Sequence, residues 1–213
     1  MQRLEDIRKE YSRTSLDVKN VSADPIEQFN IWFNEAMSAG VPEPNAMSLA
    51  TVGSDHRPSC RIVLLKGVEN NQFVFYTNYQ SHKGKDLDNN PFCALTFFWP
   101  ELERQVRIEG SVTRVDDYRS ETYFQSRPVG SQIGAWSSPQ SSVIGNREIL
   151  EERVQQISKR FEGATKLPKP KQWGGFQVAP YMIEFWQGRQ SRLHDRIVFT
   201  LADGAWGTHR LAP

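Results

Sequence analysis

Ala46-Met47-Ser48-Leu49-Ala50-Thr51-Val52 is followed by the turn cluster Gly53-Ser54-Asp55 and then by Ser59-Cys60-Arg61-Ile62-Val63-Leu64-Leu65-Lys66. From residue 46 the side-chain pattern takes a period of two, the repeat of a strand whose neighbours point to opposite faces. Gln72–Thr77, Phe92–Trp99 and Glu103–Val115 read the same way, with Glu69-Asn70-Asn71 as another turn cluster. Between the third and fourth strands, Ser81–Asn90 reads as a short helix capped by Ser81. Several short strands with few crossover helices imply an antiparallel, Greek-key-like barrel or sandwich, mainly β with peripheral α-helices.

Outward from this block the period lengthens. Asp24-Pro25-Ile26-Glu27 is a helix start, with Asp as cap, Pro at the first helical position and Glu three residues after the cap. Ile26, Phe29, Phe33, Ala36 and Met37 line one face of that helix, and Gly40 ends it. That face reads as core. Residues 1–20 carry Leu4, Ile7 and Tyr11 at helical spacing among charges, an N-terminal arm ahead of a single domain over 21–213. Downstream, Asp116–Gln125 is helical and Pro128 stops it. A longer helix from about Asn146 to Phe161 carries Leu150, Val154, Ile157 and Phe161 on one stripe. Leu167-Pro168-Lys169-Pro170-Lys171 is a stiff connector. Three strands finish the chain, the last two turned by Asp203-Gly204, a type I′ signal.

Composition narrows the class. The 213 residues, 38% hydrophobic and 11% aromatic, suffice for a sizeable core. A net charge of +1 lacks the basic face that nucleic acid requires. No apolar run approaches the ~20 residues of a membrane span, and the start Met1-Gln2-Arg3-Leu4-Glu5-Asp6 is no signal peptide. Cys60 and Cys93, both within strands, read as buried thiols of a cytoplasmic protein. The four histidines show no metal-ligand spacing, so no metal is expected.

The chemistry concentrates in Glu184-Phe185-Trp186-Gln187-Gly188-Arg189-Gln190-Ser191-Arg192-Leu193-His194-Asp195-Arg196. Read as a strand ending at Gln187 and another starting near Arg192, it projects Arg192, His194 and Arg196 to one side. Leu193, Ile197 and Phe199 fall on the other. A solvated strand face with Asp195 and Glu184 as partners is the plain reading. Trp186 and Phe185 beside the cations favour instead a planar, anionic ligand. Arg61 and Lys66 bracket an apolar strand on opposite faces, so one pocket using both needs a bulge or a partner subunit; a core strand with snorkelling ends is the plainer reading of them. Tyr123 and Arg127, four apart on a helix and followed by Ser131, make either a phosphate cradle or a surface stacking pair. Ser81-His82-Lys83-Gly84-Lys85 places cations at a helix start, which suits a phosphate held there or a solvated basic turn. Gln105, Gln140 and Ser141 are polar groups without an evident purpose. No nucleophile elbow, Walker loop, H-E-x-x-H or dinucleotide fingerprint is present. Many phosphate-seeking groups without hydrolytic machinery point to a phosphorylated cofactor.

The runs Arg61–Lys66, Phe75-Tyr76-Thr77-Asn78, Glu103-Arg104-Gln105-Val106, Tyr123–Pro128, Ser131-Gln132-Ile133-Gly134-Ala135-Trp136, Gln140-Ser141-Ser142, Trp173-Gly174-Gly175, Glu184–Arg196 and Arg210-Leu211-Ala212-Pro213 resemble the pyridoxine (pyridoxamine) 5′-phosphate oxidase family. The resemblance runs in order from about residue 8 to the last. It implies an FMN-binding split barrel and a homodimer with two FMN at the subunit interface. It also implies oxidation of pyridoxine 5′-phosphate or pyridoxamine 5′-phosphate to pyridoxal 5′-phosphate, with O2 reduced to hydrogen peroxide. By the resemblance, FMN is bound by Arg61, Ile62, Val63, Leu64, Tyr76, Thr77, His82, Lys83, Gln105, Gln140, Ser141, Trp186 and Arg196. Substrate is bound by Lys66, Tyr123, Arg127 and Ser131 around its phosphate, by Arg192 and His194 near the ring, where they act in catalysis, and by Arg8, Lys9, Glu10 and Tyr11 from the arm, acting as a lid. His82 departs from the family, which usually has Arg there. Two other readings keep part of this picture: a flavin reductase-like split-barrel enzyme, and a non-catalytic pyridoxal-phosphate carrier.

Overall fold

The computed structural model describes residues 3–6 and 10–213. Its strands form one antiparallel sheet in the order β2 (Pro58–Leu64), β1 (Ala46–Val52), β5 (Phe92–Trp99), β6 (Arg104–Arg114), β7 (Trp173–Gln187), β4 (Gln72–Asn78) and β3 (Gly67–Glu69). β8 (Asp195–Ala202) also pairs with β7, and β9 (Ala205–Leu211) with β8. The expected barrel is therefore a split one, mainly antiparallel β with helices around it.

β7 divides the sheet. β6 follows it along its length, while its other edge is taken by β4 at Trp173–Val178 and by β8 at Met182–Gln187. Between those two ladders stands Pro180, which has no N–H to give to a partner strand. Tyr181 drops out of the register opposite Glu109 and Gly110, a bulge of the kind that bends a strand and increases its twist. Gly110 is required by this close approach, since a Cβ there would stand 2.5 Å from the Ala179 carbonyl oxygen. One strand thus carries two ladders, and its two ends serve different neighbourhoods.

The core fills the inside of the curved sheet. Phe29, Phe73, Phe75, Phe97, Trp99 and Phe185 are buried there with Leu49, Leu95 and Ile108. Each buried ring contributes on the order of 2–3 kcal/mol. Helix α1 (Pro25–Ser38) closes one side, capped by the Asp24 carboxylate, which accepts the Ile26 N–H at 2.8 Å. Phe29 meets Phe73 at 4.9 Å and Phe97 at 5.1 Å. The buried face is centred on Phe29 and Trp32, so Met37, expected inside, is 51% exposed. Cys93 is buried as expected, and burial pushes its thiol up to about 12. Cys60 is exposed because its alternating set points out of the barrel.

The remaining helices are α2 (His82–Asn89), α3 (Asp117–Ser126), α4 (Val129–Ser137) and α5 (Glu148–Arg160). Pro128 ends α3 as expected, but it also opens α4, its carbonyl accepting from Ser131 and Gln132. The stripe on α5 is only partly covered: no residue of α5 is fully buried, and Phe161 beyond it meets Trp136 at 5.4 Å. Asp203 and Gly204 both adopt positive φ, as a type I′ turn requires. Leu4–Asp6 form one 3-10 turn, while Ile7, Arg8 and Lys9 lie outside the described residues. Among the described residues, no helix is long and apolar enough to cross a membrane.

Candidate active site

At the first end of β7, α3 and α4 dock through Phe124, Leu167 and Trp173, which form a small core of their own. The Leu167–Lys171 connector holds α4 in place. Gln132 accepts the buried Leu167 N–H at 3.0 Å, and Trp136 donates to the Pro168 carbonyl at 2.8 Å. The aromatic rings continue outward as a stack, with Tyr76 on Tyr123 at 4.0 Å and Tyr76 nearly parallel to Trp173 at 5.4 Å.

A cavity of about 680 Å³ opens beside this stack. Its walls include Ile62, Val63, Leu64, Lys66, Tyr76, Thr77, Lys83, Tyr123, Arg127, Ser131 and Gln140. Tyr123, Arg127 and Ser131 therefore converge, as do both candidate phosphate cradles. Arg127 lies over Trp173 at 4.9 Å, and its Nη1 is buried with no hydrogen-bond partner. Burial holds its guanidinium below the ordinary arginine range. Lys83 is also buried, with only long contacts to the Thr77 and Ser81 hydroxyls, at 3.4 and 3.5 Å. Burial and the neighbouring Arg61 lower its pKa. Among the described residues no carboxylate pairs with Lys83 or Arg127. Cations withdrawn from water without a carboxylate partner suit a phosphate.

Arg61 stands behind this cavity rather than in its wall. Its guanidinium donates to Thr51 at 2.6 Å and to Ser59, and lies 3.9 Å from Asp86. The buried Asp86 accepts from Thr51 at 2.6 Å and Ser59 at 3.0 Å, so it organises the cation. The strand ends at Leu64, which frees Lys66 from the alternation that set it opposite Arg61. His82 is exposed, with Nε2 3.4 Å from Asp86. Ser141 is exposed at φ +70°, next to Gln140, which accepts from Thr77 at 3.2 Å.

The other end of β7 assembles a second group. Gln105 on β6 lies opposite Trp186, which lies opposite Arg196 on β8. Glu184, buried, binds Arg196 through two bonds of 2.7 and 3.0 Å and Arg107 at 3.1 Å. That hydrogen bonding raises the Arg196 pKa. Arg192 is not in a strand. β8 begins at Asp195, and residues 190–192 form a tight turn with Ser191 and Arg192 at φ +54° and +59°. This corrects the alternation of Arg192, His194 and Arg196, and it leaves Leu193 70% exposed. Left-handed backbone costs about 1 kcal/mol or more at each such residue. His194 lies 4.6 Å from Trp186, and its Nδ1 accepts the Arg189 N–H at 3.1 Å. The neutral ring therefore carries its proton on Nε2. Burial and Arg192 lower the His194 pKa, so the ring is neutral at pH 7.

Tyr11 packs edge-on against Trp186 and His194, at 5.7 and 5.9 Å. Glu10 is exposed. Arg8 and Lys9 lie outside the described residues. The sequence reading did not mark Trp173, Asn78 or the α4 residues Gly134 and Ala135 as cavity walls. Only the aromatic character of Trp173 could have signalled one of them. The cavity walls include none of Gln105, Trp186, Arg192, His194 or Arg196, which belong to the other end. From Gly175, opposite Tyr76, to Trp186 is roughly 35 Å of strand at ~3.3 Å per residue.

The fold defines the class first: it is that of the FMN-binding split barrels. A solved FMN-binding protein from Nostoc punctiforme, related to pyridoxamine 5′-phosphate oxidase, superposes with a TM-score of 0.71 at 18% identity, covering 91% of this chain and all of that one. PhzG from Burkholderia lata, solved with tetrahydrophenazine-1-carboxylic acid, gives 0.86 at 27% identity, covering 94% of this chain and all of PhzG. Residues 33–161 match the pyridoxamine 5′-phosphate oxidase family, and residues 173–213 match the pyridoxine 5′-phosphate oxidase C-terminal dimerisation region. The pyridoxine/pyridoxamine 5′-phosphate oxidases of Burkholderia multivorans and Acaryochloris marina are 55% and 52% identical to the chain. The alignments cover 100% and 99% of it, and 100% and 95% of those proteins. The chain belongs to the pyridoxine/pyridoxamine 5′-phosphate oxidase family.

Proposed function

We propose that this protein oxidises pyridoxine 5′-phosphate and pyridoxamine 5′-phosphate to pyridoxal 5′-phosphate, with FMN as cofactor and O2 reduced to hydrogen peroxide. The observation that carries the site assignment is the buried Lys83 and the half-buried Arg127, whose Nη1 is buried without a partner, both without a carboxylate among the described residues and in one aromatic-walled cavity. Two phosphates, one of cofactor and one of substrate, answer two cations.

Lys83, with Thr77, Gln140 and the Arg61 held by Asp86, would hold the FMN phosphate. Arg127, Tyr123, Ser131 and Lys66 would hold the substrate phosphate. The chemistry that FMN would supply there is acceptance of a hydride from the substrate carbon and passage of the two electrons, with protons from solvent, to O2. The protein's part is alignment and exclusion of water. Trp186 supplies a flat wall, Arg196 a cation fixed by Glu184, and His194 an Nε2–H donor toward the substrate ring. With Nδ1 already accepting from Arg189, His194 orients rather than abstracts.

A two-fold homodimer would unite the two ends of β7 from different protomers, since a symmetric interface places each patch against its counterpart's complement. Support comes from the match to a dimerisation region and from the outward sheet face, where Ile62 is 68% and Phe98 53% exposed. Exposed apolar surface of this kind marks an interface. The test is direct. Purified protein should show flavin absorption and form peroxide when pyridoxine 5′-phosphate is added in air. A protein that binds pyridoxal 5′-phosphate without oxygen consumption would be a carrier, and one that oxidises only reduced nicotinamide would be a flavin reductase.

A further inference from the structure

The segment from Tyr11 to Asp17 has no regular secondary structure, so its backbone groups must find partners on the barrel. They find carboxylates. Ser12 and Arg13 both donate their backbone N–H to Oε2 of Glu103, at 2.9 and 3.0 Å. Leu16, itself buried, donates to Oδ2 of Asp195 at 3.0 Å. Arg210, near the other end of the chain, donates to the Leu16 carbonyl at 3.0 Å and to Asp195 Oδ1 at 2.7 Å. Hydrogen bonds to ionised acceptors are roughly twice as strong as neutral ones.

These anchors reach the ring-binding end of β7. Glu103 is only 7% exposed and sits at φ +56°, and its carbonyl accepts the Gly188 N–H at 2.8 Å. Gly188 has to be glycine, because a Cβ there would lie 2.7 Å from Cγ of Tyr11. Asp195 follows His194 directly in the chain. Of the residues that grip the strap, Asp195 is thus the chain neighbour of His194 and Glu103 holds the Gly188 that opens the turn before it, while Arg210 braces Asp195 from β9.

We propose that Glu103, Asp195 and Arg210 latch residues 11–17 against the barrel so that Tyr11 closes over Trp186 and His194, which makes these three positioning residues for the substrate ring. The strap's closed state is set by barrel carboxylates rather than by its own sequence. The inference rests on the oxidase reading for its consequence but not for its geometry.

The test uses the FMN-loaded full chain. Glu103→Ala should speed tryptic cleavage after Arg13 by roughly tenfold and raise both KM for pyridoxine 5′-phosphate and Kd for pyridoxal 5′-phosphate about tenfold, with FMN content unchanged. Glu103→Gln should restore both, because both strap bonds use a single oxygen. Ser12→Pro, which removes one donor without touching the barrel, should move the same readouts in the same direction if Glu103→Ala fails to fold. Wild-type cleavage rate and affinity in Ser12→Pro and Glu103→Ala would overturn the latch. Faster cleavage with unchanged KM and Kd would overturn the positioning role. Absence of turnover in the wild type would sink the oxidase reading instead, and cleavage rates with Kd for pyridoxal 5′-phosphate would still decide the latch.

Discussion

The two ends of β7 carry cations of opposite kinds. At the first end, the buried Lys83 and the half-buried Arg127 line an aromatic-walled cavity and pair with no carboxylate among the described residues. At the second end, Arg196 and Arg107 share Glu184, and Arg210 holds Asp195. A cation with a carboxylate is a structural part, fixed before any ligand arrives. A buried cation without one is held in place at a cost that an anionic ligand relieves. The difference separates the groups that shape the site from the groups that await phosphate.

The largest effect should fall on the paired end. Glu184→Ala leaves Arg196 and Arg107 without their shared, nearly fully buried acceptor, and should cost about 3 kcal/mol in urea unfolding. If stability is unchanged, the pairing is incidental and the contrast between the ends collapses. Arg127→Ala should do the reverse. It should leave stability intact, or raise it, while increasing KM for the phosphorylated substrate ten- to a hundredfold, about 1.5–3 kcal/mol. A destabilised Arg127→Ala protein with normal KM would mean that this guanidinium is structural after all.

His194 sharpens the comparison through pH. Its pKa in the folded protein is lowered by burial and by Arg192, so the unfolded chain takes up the proton first. Above ~6.5 the ring is neutral in both states and contributes no pH dependence. As pH falls below that value, stability should decline until the folded ring also protonates. Imidazole proton shifts followed by NMR should therefore titrate below the ordinary histidine value, and His194→Asn should remove that part of the acid slope. A titration at or above ~6.5 would show that the ring is not shielded in this way.

The smallest effect belongs to His82. The resemblance places it among the FMN contacts, at a position where the family usually has Arg, and in the structure its Nε2 lies 3.4 Å from Asp86 on an exposed helix start. His82→Arg should change FMN affinity by less than about 1 kcal/mol between pH 6 and 8. A larger gain, with a flattened pH profile, would bring His82 back to the phosphate.

The barrel was legible where local pattern and tertiary burial agree. Ala46–Val52 and Phe92–Trp99 alternate strictly, and both become strands with the expected limits. Asp24-Pro25 and Ser81 announced their helices by cap chemistry that the structure repeats. Helix α4 was not legible, because Gly130 and Gly134 weaken a short helix that is held by Gln132 and Trp136 against a distant connector. The turn at residues 190–192 was missed for a related reason. Ser191 and Arg192 adopt positive φ without glycine, so nothing in their residue types announces the break. Tyr123, Arg127 and Ser131 converge across the α3–α4 junction, and spacing alone could not choose between a cradle and a stacked pair. In the structure Arg127 lies over Trp173, while Tyr123 stacks on Tyr76.

The central claim is that the two ends of β7 from different protomers make one active site. Mixing two weakened proteins measures it: Lys66→Ala/Arg127→Ala, damaged at the first end, and Arg192→Ala/His194→Ala, damaged at the second. After co-refolding at equal amounts, heterodimers should contain one intact site, and activity at low substrate should recover to about a quarter of wild type. Activity no higher than the average of the two separate variants would contradict a shared site and would place both ends in the service of a single protomer.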